Sequence, residues 1–544
     1  NILSLEKITS TESSSTTSSQ SAQAESSNEV YGEFNGDGFD DLAIGVATED
    51  LGSIFNTDAG GVEVIYGSSV GLSATSPHAD QFWTQDSANI DNQAETGDLF
   101  GGSLAIGDFN DDGFDDLAIG VPHEDLGSVI NVGGVEVIYG SSSGLSATLA
   151  HADQFWTQDS ADIEDSAGPG DSFGSALTAG DFNADGKDDL AIGVPFEAVG
   201  SIHEAGGVEV IYGSSNGLSA TFIHADEFWT QDITNIDNQA ETADQFGSSL
   251  TAADFNADGI DDLAIGVPFE GLGSISHAGG VEVIYGFSAV GLSATLAHAD
   301  QFWTQDSTDI DNQAETDDQF GSSLTAGDFD ADGKDDLAIG VPFEGLGSIL
   351  IAGAVEVIYG SSNGLSATSP HADQFWTQDS TNIDDSAEPH DEFGFSLTAG
   401  DFNADGKDDL AIGVPLQGLG SVTAAGGVQV IYGSSSGLSA TLSHADQFWT
   451  QDSTDIDNQA ESSDLFGYTL AMGDFNADGK DDLAIGVSHE DLGSIGNAGG
   501  VEVIYGSSVG LSATSPHADQ FWTQDSANID DSAEVEDLFA FSLG

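Results

Sequence analysis

Short apolar runs separated by glycine and polar residues set the rhythm of this chain. Residues 246–318 show one period: "FGSSLTAADF", an acidic stretch, "DLAIGVPFE", a glycine-rich connection, "GGVEVIYG", the turn "FSAVGLSAT" and "DQFWTQD". Runs of this length, rich in Val, Ile, Tyr, Phe and Trp, predict strands, and the glycines leave no 3.6-residue periodicity for helices. Each period therefore predicts four strands. The runs "LAIGV" and "VEVIY" fit strands covered on both faces.

The acidic stretch begins at Glu33, Asp108, Asp181, Asp254, Asp328, Asp401 and Asp474, so the period is 73 to 75 residues. Known propeller repeats run to roughly 40–50 residues, so each unit here must carry long loops. Seven units of four antiparallel strands with no helix predict an all-β chain, a seven-bladed β-propeller. Phe-Gly opens the units at Phe100, Phe173, Phe246, Phe320, Phe393 and Phe466, and a seventh copy, "LFAFSLG", ends the chain around Phe539. The first unit lacks such an opening. Segment 538–544 is therefore predicted to supply the inner strand of blade 1 and close the ring, because an open ring exposes a sheet edge. The alternative is a longer array of which this chain is a piece. Residues 10–27, "STESSSTTSSQSAQAESS", hold too few apolar groups to offset ordering entropy. The organisation read is a flexible linker or stalk over 1–27 and a propeller over 28–544. The chain begins with neither Met nor a signal peptide, which reads as a mature form or an excised fragment.

The acidic stretch has the composition of a cation cage. Position 1 is Glu33, Asp108, Asp181, Asp254, Asp328, Asp401 or Asp474, and position 3 is Asn35, Asn110, Asn183, Asn256, Asp330, Asn403 or Asn476. Position 5 is Asp37, Asp112, Asp185, Asp258, Asp332, Asp405 or Asp478, and a glycine follows at position 6. Position 7, expected to offer its backbone carbonyl, is Phe39, Phe114, Lys187, Ile260, Lys334, Lys407 or Lys480. Position 9 is Asp41, Asp116, Asp189, Asp262, Asp336, Asp409 or Asp482. Oxygens at 1, 3, 5, 7 and 9 around a turn glycine suit Ca²⁺, which takes six to eight oxygen ligands, so up to seven ions are expected, one per blade. This is not an EF-hand, because position 12 is Ile192 in the third copy and the flanks are strands. The Asp at position 8, such as Asp188, is expected to cap the turn or add charge, and the four lysines to point outward. Glu33, with its longer side chain, is expected to weaken the first site.

Charge narrows the partners. The 544 residues include 95 acidic and 5 basic ones, all five lysine, for a formal charge of −90. Nucleic acid and anionic membrane need clustered cations, so neither fits, and no apolar run of about 18 residues would span a bilayer. Self-repulsion on this scale favours a saline or calcium-rich setting. With no Cys, disulfides, thiolate metal sites and Cys nucleophiles are all absent.

The combination of Phe246-Gly247, the loop 254–262 and "GVP" at Gly266 to Pro268 resembles the FG-GAP repeat of integrin α-subunit propellers and their bacterial relatives. Pro gives way to Ala47 in blade 1 and Ser488 in blade 7. The resemblance covers residues 28–544. It implies a seven-bladed propeller, calcium in the loops between first and second strands on one face, and partner binding on the opposite face. Integrins carry the loop in only some blades; all seven have it here.

The copied "HADQFW" motif, ending at Trp83, Trp156, Trp229, Trp303, Trp376, Trp449 and Trp522, is expected to be architecture, with Phe-Trp between blades and the His, from His78 to His517, satisfying a turn. An active site needs one asymmetric constellation, and no GxSxG, HExxH or P-loop motif occurs, so the chain is read as a non-enzyme. The copies differ most between second and third strands: Phe55 to Asp58, Ile130-Asn131, His203-Glu204, Ser276-His277, Leu350-Ile351, Thr423-Ala424 and Gly496-Asn497. Loop tips carry recognition, although drift at tolerant positions explains the variation equally well. The expected function is a calcium-binding extracellular or cell-surface adhesion module for an unknown protein or glycan, within a larger surface protein. The alternative is a structural spacer with no specific ligand, and a polysaccharide-active enzyme ranks third.

Overall fold

The structure, a computed structural model, describes residues 32–51, 58–75, 78–90, 92–148, 151–163, 165–221, 225–236, 238–295, 298–310, 312–383, 385–441, 445–456, 458–514, 517–529 and 531–544. The linker over 1–27, Phe55 to Thr57, His224 and His444 lie outside them.

All elements of the described residues are strands, arranged as seven antiparallel sheets, so no helix there is long and apolar enough to cross a membrane. Blade 2 is representative: Leu104–Gly107, Asp116–Val121, Gly134–Ile138 and Gln154–Trp156 pair in sequence order. Blade 4 adds a fifth short strand, Gly291–Ser293. In the first sheet, Leu42–Val46 pairs with Gly61–Ile65 on one side and with Ser542–Leu543 on the other, in the register Ile44↔Leu543 and Gly45↔Ser542. The chain's last residues thus form the inner strand of its first sheet.

First strands from all seven sheets line a central channel, with Leu104, Leu177, Leu250, Thr325, Thr398, Leu470 and Leu543 among its walls. The fully buried runs "LAIGV" and "GVEVI" pack between sheets rather than into one core. One cluster joins Val62, Val64 and Tyr66 of blade 1 to Leu117, Ile119 and Ile138 of blade 2, with Trp83 and Phe155 packed against it. Another joins Val501 and Tyr505 of blade 7 to Leu42 and Ile44 of blade 1. The third strand also buries a carboxyl group that an apolar reading of "VEVIY" overlooks. Glu136 is fully buried, and blade 6 places Gln429 at that position, donating from Nε2 to Asp446 Oδ2 at 3.0 Å.

The FG and GVP motifs meet where sheets approach at the axis. Ser249 Oγ donates to Gly321 O of the next blade at 2.7 Å, beside Gly266 of its own second strand. A Cβ on Gly266 would lie 2.3 Å from Gly321 O, closer than any real contact, and the obstructing atom is backbone.

On the same side of the ring, the end of one blade meets the second strand of the next through buried polar groups. Gln231 Nε2 donates to Glu270 Oε2 at 2.9 Å, and the bond recurs from Gln85 to Glu124 and from Gln451 to Glu490. Burial pushes Glu124, Glu270, Glu344 and Glu490 up to about 7, and the nearby Asp98, Asp244, Asp318 and Asp464 up to about 6. Blade 6 replaces the Glu with Gln417, whose Oε1 accepts from Gln378 Nε2 at 2.8 Å, so the joint works without the charge.

Gly266→Ala should lower the melting temperature, with an expected loss of about 1–3 kcal/mol from overpacking against a backbone that cannot yield; an unchanged thermal melt would refute the close-approach account. The junction carboxylates have folded values above their unfolded ones, so their contribution is full below about pH 4 and is lost as pH rises through about 6 to 7. Glu270→Gln, which copies Gln417, should therefore raise the melting temperature relative to wild type at pH 8 but not at pH 5, read by melts at fixed salt and calcium.

Candidate metal centre

The acidic loop joins each inner strand to the second strand, on the opposite side of the ring from those junctions. Its backbone is shaped by its own first residue. Asp108 accepts the Asp112 amide on Oδ1 at 3.1 Å and the Gly113 amide on Oδ2 at 2.8 Å, and Asp181, Asp254, Asp328, Asp401 and Asp474 repeat the pattern. Glu33 does the same in blade 1, with 2.6 and 2.8 Å to Asp37 and Gly38, so its extra methylene leaves the turn intact.

Position 9 is a buried hub. Asp116 Oδ2 accepts the Phe109 amide at 3.1 Å and Asn110 Nδ2 at 3.0 Å, while Oδ1 accepts the Gly140 amide beyond the third strand at 2.9 Å. Burial raises Asp41, Asp116 and Asp482 to about 9, and Asp189, Asp262, Asp336 and Asp409 well above the usual carboxylate range.

Position 3 connects this hub to the cage. Asn35, Asn110, Asn183, Asn256, Asn403 and Asn476 give Nδ2 to the position-9 carboxylate, which turns Oδ1 away from it. In Asn35, Asn110, Asn183, Asn403 and Asn476 that Oδ1 is buried and meets no hydrogen-bond donor. A buried carbonyl oxygen without a donor costs about 1–3 kcal/mol, and five copies of it beside two carboxylates suit a hard cation. In blade 5, where Asp330 stands at position 3, one oxygen from each of Asp328, Asp330 and Asp332 lies within 4.8 Å of the others. In blade 5, positions 1, 3 and 5 are thus gathered into a cage rim. The residues fit a calcium ion, which would draw on these oxygens and on the position-7 carbonyl of Phe39, Phe114, Lys187, Ile260, Lys334, Lys407 or Lys480.

Two features go beyond the sequence reading. Lysines at position 7 turn back onto the loop instead of outward: Lys187, Lys334, Lys407 and Lys480 reach Asp185, Asp332, Asp405 and Asp478 at 2.9 to 3.2 Å. A lone ammonium beside clustered carboxylates finds its best partner there. Position 8, expected to cap a turn, caps the neighbouring blade's turn. Asp188 Oδ2 accepts the Asp108 amide at 2.8 Å and its own amide donates to Asp108 O at 3.3 Å, and Asp40 links to Asp474 likewise at 2.6 and 3.4 Å.

The histidines, expected to satisfy a turn, lie in bends beside the third-strand tyrosines. His78, His151, His298, His371 and His517 lie against the third-strand tyrosines with ring centres 5.3 to 5.4 Å apart. Burial raises Asp37, Asp112 and Asp258 at position 5 above the usual carboxylate range, and the proximity of His78, His151 and His298 opposes that rise. Only the nearly constant spacing from the acidic loop to "HAD" in each repeat signals this.

A sequence profile of the FG-GAP repeat matches residues 100–135, 173–209, 246–283, 320–355, 393–431 and 466–504. Human phosphatidylinositol-glycan-specific phospholipase D is 33% identical over 175 residues, covering 31% of this chain and 18% of that protein. Integrin alpha pat-2 of Caenorhabditis elegans is 30% identical over 251 residues, covering 43% of this chain and 17% of that one. The matched part therefore spans less than a fifth of either relative. The solved periplasmic gluconolactonase of Pseudomonas aeruginosa covers 84% of this chain at 12% identity and a TM-score of 0.40, too distant to bear on function.

The Lys–Asp pairs give a prediction. A cation at these loops must compete with an internal ammonium, so Lys480→Met should tighten calcium binding at blade 7 several-fold at low salt, as read by calorimetry; unchanged or weaker binding would show that the pair does not oppose the ion.

Proposed function

We infer, for a chain that is an FG-GAP repeat protein resembling the integrin α propeller, that it is a calcium-binding extracellular or cell-surface binding module. The observation that carries this reading is the donorless amide oxygen at position 3, buried in five loops whose positions 1 and 5 are carboxylates. A hard cation supplies what that oxygen lacks, and it offsets charge where the chain is most crowded.

Recognition is assigned to the opposite face. There the copies differ: Ile130 and Leu350, at the tips between second and third strands, are 59% and 65% exposed. The channel mouth on the same face is lined asymmetrically, with Phe269 and Phe343 from two blades, Phe395, Tyr468 and Phe541 from three others, and small residues such as Gly102, Ser175, Ser248 and Ser322 between them. Large exposed apolar groups on a −90 surface favour contact with a protein or glycan partner. Under this reading catalysis is absent, because the carboxylate clusters are copied blade by blade. The relatives do not decide the point, since one is named a phospholipase and another an integrin.

Two measurements test it. Excess chelator should lower the melting temperature, because each ion bound only to the folded state adds about 2.7 kcal/mol at a hundred times its Kd; a coincident melt with and without chelator would refute calcium binding. Pull-down and glycan-array binding with and without calcium should reveal a partner that Ile130→Asp or Leu350→Asp weakens. No partner under either condition would favour the spacer.

A further inference from the structure

The blades are near-copies, yet around the axis, on the face away from the acidic loops, five of them each bring one aromatic ring from one of two positions. The residue after Phe-Gly is Gly102, Ser175, Ser248 or Ser322 in blades 2 to 5 and an aromatic, Phe395, Tyr468 or Phe541, in blades 6, 7 and 1. In blades 4 and 5, where it is serine, the ring comes instead from the residue after Gly-Val-Pro, Phe269 or Phe343. Phe395 and Tyr468 stand with ring centres 5.2 Å apart at 38°, and Tyr468 and Phe541 6.4 Å apart at 52°, so three consecutive inner strands present one aromatic arc. The depression that these rings border has a volume of about 660 Å³, within the roughly 300–1,000 Å³ usual for small-ligand sites. None of the described residues lining it carries a charge, in a chain with 95 acidic residues.

We propose that this mouth binds the end of a neutral oligosaccharide whose pyranose rings carry equatorial substituents, stacked on the arc of Phe395, Tyr468 and Phe541. The proposal rests on reading this face as the recognition face, and it names the ligand. An equatorially substituted pyranose presents apolar C–H faces and a girdle of hydroxyls, so it needs a flat aromatic surface beside groups that both donate and accept. The arc supplies the surface. Gln245 and Gln319 supply amides elsewhere around the mouth, and the Ser248 and Ser322 hydroxyls, which donate to the backbone carbonyls of Gln245 and Gln319 at 2.8 Å, keep lone pairs for an incoming hydroxyl. Neutrality follows from the lining. A cation would shed water here with no carboxylate beside it, and an acidic sugar would meet the field of a chain with a formal charge of −90. His489, with its ring centre 6.4 Å from that of Tyr468, is pushed below its ordinary value by burial and is uncharged at neutral pH.

Titration calorimetry of the full chain in calcium-containing buffer tests this, with cellopentaose and chitopentaose as neutral probes and tetragalacturonate and tetralysine as charged ones. A neutral probe should bind at one site per chain, and the charged probes should not bind. Phe395→Ser, which gives blade 6 the residue of blades 3 to 5, and Tyr468→Ala should each weaken binding about tenfold, while Tyr468→Phe should bind as wild type does; thermal melts check that each variant folds. No binding of either neutral probe, tighter binding of a charged one, or an affinity that Phe395→Ser leaves unmoved would overturn the proposal. A protein partner weakened by Ile130→Asp but not by Tyr468→Ala, with no saccharide bound, would overturn it and leave the recognition face standing. A neutral probe lost in Phe395→Ser, with no partner that depends on Ile130, would support it without the loop tips.

Discussion

The ring depends on how closely neighbouring sheets approach at the axis. There one blade's serine hydroxyl bonds the next blade's glycine carbonyl, as Ser103 does to Gly174 at 2.7 Å and Ser542 to Gly101 at 2.7 Å. Contact between backbones tolerates no side chain, so glycine recurs on the second strand at every joint, while the hydroxyl is absent from blade 3, where Ala176 stands in its place. The near-identity of the blades follows from this geometry. Between blades 7 and 1 the copying relaxes: Thr469 bonds Ala540 O at 3.0 Å, and a Cβ on Gly486 would lie 3.2 Å from that oxygen, against 2.3 Å at Gly266, although 2.1 Å from Thr469 Oγ1. The last joint is therefore the least tightly fitted.

Acidic side chains serve first as acceptors in this fold. Position 1 holds its own turn, position 8 holds the neighbour's turn, and position 9 ties the loop to the third strand. Each carboxylate thereby satisfies backbone amides that a turn leaves unpaired. Their charge comes along with that work, and the chain has only five lysines to set against it, four of which sit in the loops themselves. Cation binding completes an arrangement that hydrogen bonding has already shaped.

The sheets, their number and the loop positions were legible because each rests on local pattern repeated seven times. Strand runs, turn glycines and the 73-residue period all point the same way. What could not be read depends on pairing across blades. Nothing in "DFNADGKDD" says that Asp188 accepts an amide from the preceding blade, or that Lys187 prefers Asp185 to solvent. The buried Glu in "VEVI" was equally hidden, because alternation marks which side a residue faces and says nothing of what covers it. Phe55, at the most divergent tip, lies outside the described residues, so its part in recognition stays with the sequence argument.

The pairing of Ile44 with Leu543 has a consequence for synthesis. The first sheet emerges from the ribosome without its inner strand, which is made roughly 500 residues later, about 25 to 100 s at usual elongation rates. Through that interval its inner edge is an open template for any other strand in reach. The strong negative charge of the nascent chain is then a safeguard as well as a surface property, since two unfinished copies repel each other before their edges can meet.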